Sequence, residues 1–174
     1  MTGLLVFMVS SPSMADGYAH KISAEKVTFE WTVNGPAIDI RISAPTTGWV
    51  GIGFNPTEKM KDANYIIGYV AKGKATISDD YGKSERSHEE DTKAGGTKDV
   101  TAVSGSESNG TTTLAFTVPL NSGDSKDQVL DINGDTTVLL AYGSGRDSVK
   151  ARHMKHYMFR VNLSTGAFKD IHNH

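Results

Sequence analysis

Apolar side chains recur at every second position through much of this chain. Val27, Phe29, Trp31 and Val33 alternate with Thr28, Glu30 and Thr32. Ile38, Ile40 and Ile42 alternate with Asp39, Arg41 and Ser43 after an Asn34-Gly35-Pro36 turn. A two-residue period puts alternate side chains on opposite faces of a strand and predicts half-buried β-strands. The same reading predicts strands at 49–54, 65–70, 75–78, 100–104, 111–118, 138–142 and 159–163, separated by clusters of Gly, Asn, Asp, Ser and Pro. Asn109-Gly110 marks a hairpin between the strands at 100–104 and 111–118. No window carries a sustained helical period. Many short strands at regular spacing predict an all-β fold, a two-sheet antiparallel β-sandwich.

Two segments depart from the alternation. Residues 79–96 are polar and charged, with Arg86, His88, Glu89, Glu90 and Asp91 crowded together, and read as a long solvated loop. On that reading the carboxylates at 79–80 and 89–91 are surface groups, the latter suited to a basic partner. Residues 143–158, GSGRDSVKARHMKHYM, follow an apolar strand and bring two histidines and two methionines to its end.

The stretch GWVGIGFNPTEKMKDANYIIGYV, residues 48–70, carries the strongest chemical signal. Val50, Ile52 and Phe54 fall on one face of its first strand and Trp49, Gly51 and Gly53 on the other. Alternating glycines leave a bare strip that packs well only if a flat ligand or another chain segment approaches closely. Met60 follows in a polar connection where Gly, Asn or Ser is usual. A thioether is a soft, neutral ligand, so its presence there points to a bound cofactor.

Composition narrows the chemistry. A chain of 174 residues, 37% hydrophobic and 22% charged, fits one globular domain with a real core. Its 18 basic and 20 acidic residues are mixed along the chain, without the basic footprint of a nucleic-acid binder. Cysteine is absent, which excludes disulfides, thiolate metal sites, iron–sulfur clusters and covalent c-type haem attachment. Leu4 to Val9 is a short apolar run, and Ser13-Met14-Ala15 supplies the small residues of a cleavage site. Residues 1–15 are therefore expected to be a signal peptide and 16–174 an exported domain, periplasmic or extracellular. The run is too short to span a bilayer.

No G-x-S-x-G elbow, phosphate-binding loop or dinucleotide fingerprint is present, which argues against a hydrolase or nucleotide enzyme. Met60 and the segment holding His153 both follow strand ends and can meet over the glycine face. Met with His is a common axial pair for a six-coordinate electron-transfer haem. A copper site built from Met60, His153, Met154, His156 and Met158 is the other metal reading. Trp49, Tyr65 and Tyr69 are candidates to flank a porphyrin, and Arg152, Lys59 or Lys61 to neutralise its propionates.

The motifs also carry a resemblance. Residues 48–56, GWVGIGFNP, followed by Met60, Ala63 and Ile66-Ile67-Gly68-Tyr69, resemble a DOMON domain of the haem-binding branch, which includes the cytochrome domain of cellobiose dehydrogenase. The likeness continues through Ser78-Asp79-Asp80-Tyr81, Asn109-Gly110-Thr111-Thr112, Phe116-Thr117-Val118-Pro119-Leu120 and Leu140-Ala141-Tyr142-Gly143. It implies an immunoglobulin-like sandwich that holds non-covalent haem b near one end. It also implies axial ligands at Met60 and His153, with His156 the alternative and Lys150 and Lys155 outside candidates. The implied function is one-electron transfer without substrate turnover. The implied partner is another redox protein: an exported oxidoreductase, a c-type cytochrome or a membrane cytochrome. The competing expectation is a haem-free module that binds sugar, another small ligand or a partner protein.

Overall fold

The computed structural model describes residues 17–171. Its elements are β1 (His20–Ala24), β2 (Val27–Asn34), β3 (Ala37–Ala44), β4 (Val50–Phe54), β5 (Asn64–Ala71), β6 (Lys74–Ser84), β7 (Ser87–Glu90), α1 (Asp91–Ala94), β8 (Thr101–Ser108), β9 (Thr111–Pro119), β10 (Asp135–Tyr142), β11 (Lys155–Asn162) and β12 (Phe168–Asp170). One antiparallel sheet has the order β1-β2-β3-β9-β8, and the other β12-β11-β10-β4-β5-β6-β7. The two pack face to face as the predicted sandwich. Among the described residues no helix is long and apolar enough to cross a membrane. The expected signal peptide, and the terminal His172 and His174, lie outside the described residues.

Alternation builds the core. Phe29 and Trp31 on β2, Ile38, Ile40 and Ile42 on β3, and Leu114 and Phe116 on β9 are buried from one sheet. Val50, Ile52 and Phe54 on β4, Val138 and Leu140 on β10, and Phe159 and Val161 on β11 are buried from the other. Phe29 and Trp31 stack at 4.4 Å between ring centroids. The Trp31 indole N–H, buried and in need of an acceptor, donates to the Leu163 carbonyl at 2.9 Å and so links the sheets. Asn109 and Gly110 adopt φ of 51° and 72°, the left-handed pair of a two-residue hairpin turn that follows the twist of its strands.

On the outside of the five-stranded sheet, Arg41 Nε donates to Glu30 at 2.7 Å across β2 and β3. This bond holds the Glu30 carboxyl below its ordinary 4.5. A depressed carboxyl stabilises the fold above its unfolded value, and the contribution is lost as pH falls through the folded one. Glu30→Gln is therefore expected to cost less than about 1 kcal/mol at neutral pH, since the pair is partly exposed. Urea melts should show that difference closing below pH 4.5; a difference that persists near pH 2 would trace the loss to packing instead.

Two expectations need correction. Residues 79–96 are not a solvated loop: β6 runs on to Ser84, turns into β7, and leads into α1. Asp79, Asp80 and Asp91 are 5%, 3% and 1% exposed, so carboxylates read as surface are interior. Polar composition misled here because pairing of β6 with both β5 and β7 buries side chains that local pattern assigns to water. In the second segment the last long strand starts at Lys155, not at 159, because β11 pairs with β10 along its whole length. The short strands β1 and β12 were beyond the reach of periodicity, β1 with Ile22 as its one buried residue and β12 with none.

The seven-stranded sheet is unusual in being apolar on its outer face too. Trp49, Ala63, Tyr65 and Ile67 form a second buried cluster there, with Met60, Tyr69, Leu139, Ala141, Val149 and Ala151 packed against it. An antiparallel sheet in a sandwich ordinarily turns polar side chains to water on that side. This departure locates the site.

Candidate functional site

The floor of the site follows from strand register. Gly53 lies between Tyr65 on β5 and Leu139 on β10, and Gly51 between Ile67 and Ala141. The glycines form a trough between rows of larger side chains. A Cβ at Gly51 would stand 3.1 Å from Ile67 Cγ1, and one at Gly53 only 2.3 Å from Tyr65 Cε1. The Tyr65 ring thus lies over Gly53, and part of the bare strip expected to receive a flat ligand is occupied by a cross-strand aromatic. Trp49 is seated in the same way, its indole against Gly143, where a Cβ would come within 2.2 Å of Nε1.

Above this floor opens a cleft of about 780 Å³, within the range of small-molecule and cofactor sites. Met60 and Lys59 reach it from the β4–β5 connection. Lys150, Arg152 and His153 reach it from the segment before β11, and His156 and Met158 from β11 itself. Glu85, Arg86 and His88 close it from the β6–β7 hairpin.

The loop that carries Met60 is tightly fixed. Asp62 N–H donates to the Gly82 carbonyl and Gly82 N–H to the Ala63 carbonyl, both at 2.8 Å. The Asp62 carboxylate accepts from Thr57 Oγ1 at 2.5 Å and from the Tyr81 hydroxyl at 2.6 Å. Met60 itself is half-buried on the apolar floor. The opposite wall is anchored by Met154 N–H donating to the Tyr142 carbonyl at 2.8 Å.

His153 is half-buried, and its ring lies 4.7 Å from that of His156, which is exposed. Burial, and then the nearby Arg152, push the His153 imidazole below its ordinary value, which keeps it neutral and able to act as a ligand. Two polar atoms on the floor, Trp49 Nε1 and the Tyr65 hydroxyl, are buried with no hydrogen-bond partner. Burial also raises the Tyr65 hydroxyl well above its usual range, so it stays protonated. Buried polar groups without partners are uncommon and mark places where a ligand or water belongs.

The structure therefore brings Met60, His153, His156, Trp49, Tyr65 and Arg152 to one cleft. Tyr69 packs against the same outer-face cluster but does not line the cleft: it stands four residues beyond Tyr65, roughly 13 Å farther along β5. Lys59 is ion-paired with Glu85, which makes it a poor partner for another anion, and Lys61 does not line the cleft. Arg86 and Arg152 make no ion pair among the described residues. Met154 is 54% exposed and outside the cleft, which thins the copper set. Sequence reading missed His88, whose Nδ1 bonds the Asp80 carboxylate at 2.5 Å and whose ring lies 6.1 Å from that of Tyr65. Its signal was the alternation of Ser78, Asp80 and Gly82 on one face of β6, hidden inside a charged segment.

The cytochrome domain of cellobiose dehydrogenase from Myriococcum thermophilum superposes with a TM-score of 0.58 at 11% identity, covering 84% of this chain and 83% of that one. The cytochrome b domain of pyranose dehydrogenase from Coprinopsis cinerea gives 0.53 at 15% identity, covering 79% and 84%. In sequence, the mouse protein named DBH-like monooxygenase protein 1 is 28% identical over 152 residues, 83% of this chain and 24% of its own length. The human protein of that name is 29% identical over 124 residues, 70% and 19% respectively. The chain thus spans about a quarter or less of the curated relatives it matches. Residues 23–143 match the DOMON domain model, a span that includes β4, β5 and Met60 and stops short of His153. On that match this chain belongs to the DOMON domain family.

Proposed function

We propose that this protein is an exported b-type haem protein that carries single electrons, with Met60 and His153 as its axial ligands. The observation that carries the reading is the apolar outer face of the seven-stranded sheet, flanked by two separate loops that bring a thioether and a neutral imidazole to one cleft. The residues present fit the group. Apolar walls from Ile67, Leu139 and Ala141 suit a porphyrin, and the buried, unpartnered Trp49 and Tyr65 edges are aromatic with one polar end. Arg86 and Arg152 provide cations at the rim for propionates. Fold likeness to two cytochrome domains supports the same reading.

When bound, haem supplies a reversible one-electron couple. The chain's own residues set its conditions: the thioether of Met60 favours a comparatively high potential, and the apolar floor limits water. Were Met60 and His153 both to hold the iron, no position would be left for substrate, so catalysis by this domain is not expected. The partner is another redox protein, an exported oxidoreductase, a c-type cytochrome or a membrane cytochrome, met through a small transient contact. Export to the periplasm or the extracellular space rests on residues 1–15 of the sequence.

A second reading has its own observation. The Tyr65 ring over Gly53 already covers part of the strip, as it would in a haem-free module that binds a sugar or another small ligand. An absorption spectrum of protein produced with haem available separates the two. A sharp Soret band, with resolved α and β bands on reduction by dithionite, is expected for low-spin haem b. Colourless protein that also fails to take up added haemin would overturn the cytochrome and leave the binding module.

A further inference from the structure

Away from the cleft, three carboxylates meet with no counter-charge. Asp79 on β6, Asp91 at the start of α1 and Asp127 in the β9–β10 connection each offer an oxygen, and these oxygens all lie within 4.8 Å of one another. Asp91 is 1% exposed, and neither of its carboxylate oxygens has a hydrogen-bond partner. Asp79 is 5% exposed; one oxygen accepts the Asp99 N–H at 2.8 Å and the other has no partner. Asp127 is half-buried, with one oxygen likewise unpartnered. Among the described residues no lysine, arginine or histidine is ion-paired to any of the three. The nearby Lys126 instead holds its Nζ over the Tyr81 ring at 4.8 Å.

Buried carboxylates are ordinarily paired, hydrogen-bonded or bound to metal, because an uncompensated charge in the interior is costly. Among the described residues none of the three is ion-paired, and four of their six oxygens, including both on Asp91, have no hydrogen-bond partner. The neighbouring Asp124 is different: it accepts the Thr97 and Lys126 N–H groups, as a turn-forming aspartate does. We propose that Asp79, Asp91 and Asp127 form a binding site for a divalent cation of the calcium type. All-oxygen ligation suits a hard cation. Oxygens bound to one Ca²⁺ at 2.3–2.6 Å stand at most about 5 Å apart, and the observed spread fits inside that limit. Mg²⁺ demands a near-ideal octahedral shell at shorter distances. The partly exposed Asp127 leaves a side open for water to complete the shell.

Without the cation the same groups turn to protons: burial, and then repulsion from neighbouring carboxylates that include Asp127, pushes Asp79 and Asp91 up to about 7, while burial and the adjacent Asp99 and Asp124 push Asp127 up to about 6. A bound cation would tie three segments that are distant in sequence. It would also brace β6, whose opposite face carries the buried Asp80 that bonds His88, a residue of the cleft wall. The site does not depend on the haem reading, since none of its three ligands lines that cleft.

The test uses the full chain, stripped with EDTA and titrated with CaCl₂ or MgCl₂ by calorimetry and thermal melting. Calcium at a hundredfold over its dissociation constant is expected to raise the melting temperature by roughly 5–10 °C, with a smaller response to magnesium. Asp91→Asn and Asp127→Asn should each abolish the calcium response while leaving the metal-free melting temperature unchanged or higher, because each removes a repulsion. Asp127→Asn, at a half-buried position, keeps the test usable should Asp91→Asn not fold. Absence of heat and of any shift up to about 10 mM calcium, beyond the weakest extracellular sites, would overturn the proposal. So would a response retained in the variants, or one equal for magnesium.

Discussion

Haem-loaded protein carrying His153→Ala is expected to lose the low-spin spectrum and to bind haem at least 10- to 100-fold more weakly, since even loss of a supporting residue behind a metal ligand has effects of that size. Met60→Ala is expected to act differently. It should retain haem on the imidazole, shift the spectrum to high spin, and lower the potential by on the order of 100 mV, a fraction of the roughly 0.8 V that axial ligands control. The asymmetry follows from bond character: imidazole is the stronger ligand, and the thioether mainly raises the potential. His156→Ala is the control. The exposed His156 ring packs against His153, so its removal should leave ligation intact. Spectra that collapse in His156→Ala and survive in His153→Ala would move the ligand to position 156.

Gly82→Ala tests how the backbone positions Met60. A Cβ at residue 82 would stand 1.9 Å from the Met60 carbonyl oxygen and 2.9 Å from the Ala63 nitrogen, both main-chain atoms that no rotamer change can move. Relief requires the loop to lift off β6, which strains the Asp62–Gly82 and Gly82–Ala63 hydrogen bonds. Overpacking costs about 1–3 kcal/mol and a weakened hydrogen bond about 1 more, for a total of roughly 2–4 kcal/mol. Thermal melts should then fall by roughly 5–15 °C. In haem-loaded protein a high-spin fraction should appear as Met60 is displaced. Gly17→Ala, where an added Cβ meets nothing within 4 Å, serves as the neutral comparison. A melting temperature for Gly82→Ala equal to that of Gly17→Ala would show that Gly82 does not fix the loop.

Several features were legible in the residues. The Ile38, Ile40, Ile42 period gave the inward face of β3, and Asn109-Gly110 gave the β8–β9 hairpin, because each depends on atoms a few bonds apart. The opposed faces of β4 were equally plain: Val50, Ile52 and Phe54 enter the core, and Trp49, Gly51 and Gly53 face the cleft. Polar side chains were where this reasoning failed. Asp79 and Asp91 belong to residue types that prefer water, and nothing local says that β5, β7 and the 121–134 connection close over them. Arg86 and His88 were lost for the same reason, inside a segment whose charge concealed its pairing.

By itself the sequence determined the all-β class, most strands, the bare face of β4 and the supply of soft and nitrogen ligands, since alternation, turn chemistry and residue type are short-range properties. Only the tertiary structure decided that Met60 and the His153 segment share one cleft, that Tyr65 lies over Gly53 while Tyr69 falls outside, and that three aspartates meet in the interior. Those outcomes depend on cross-strand register and on which loops close over which face, relations between residues far apart along the chain that no local pattern encodes.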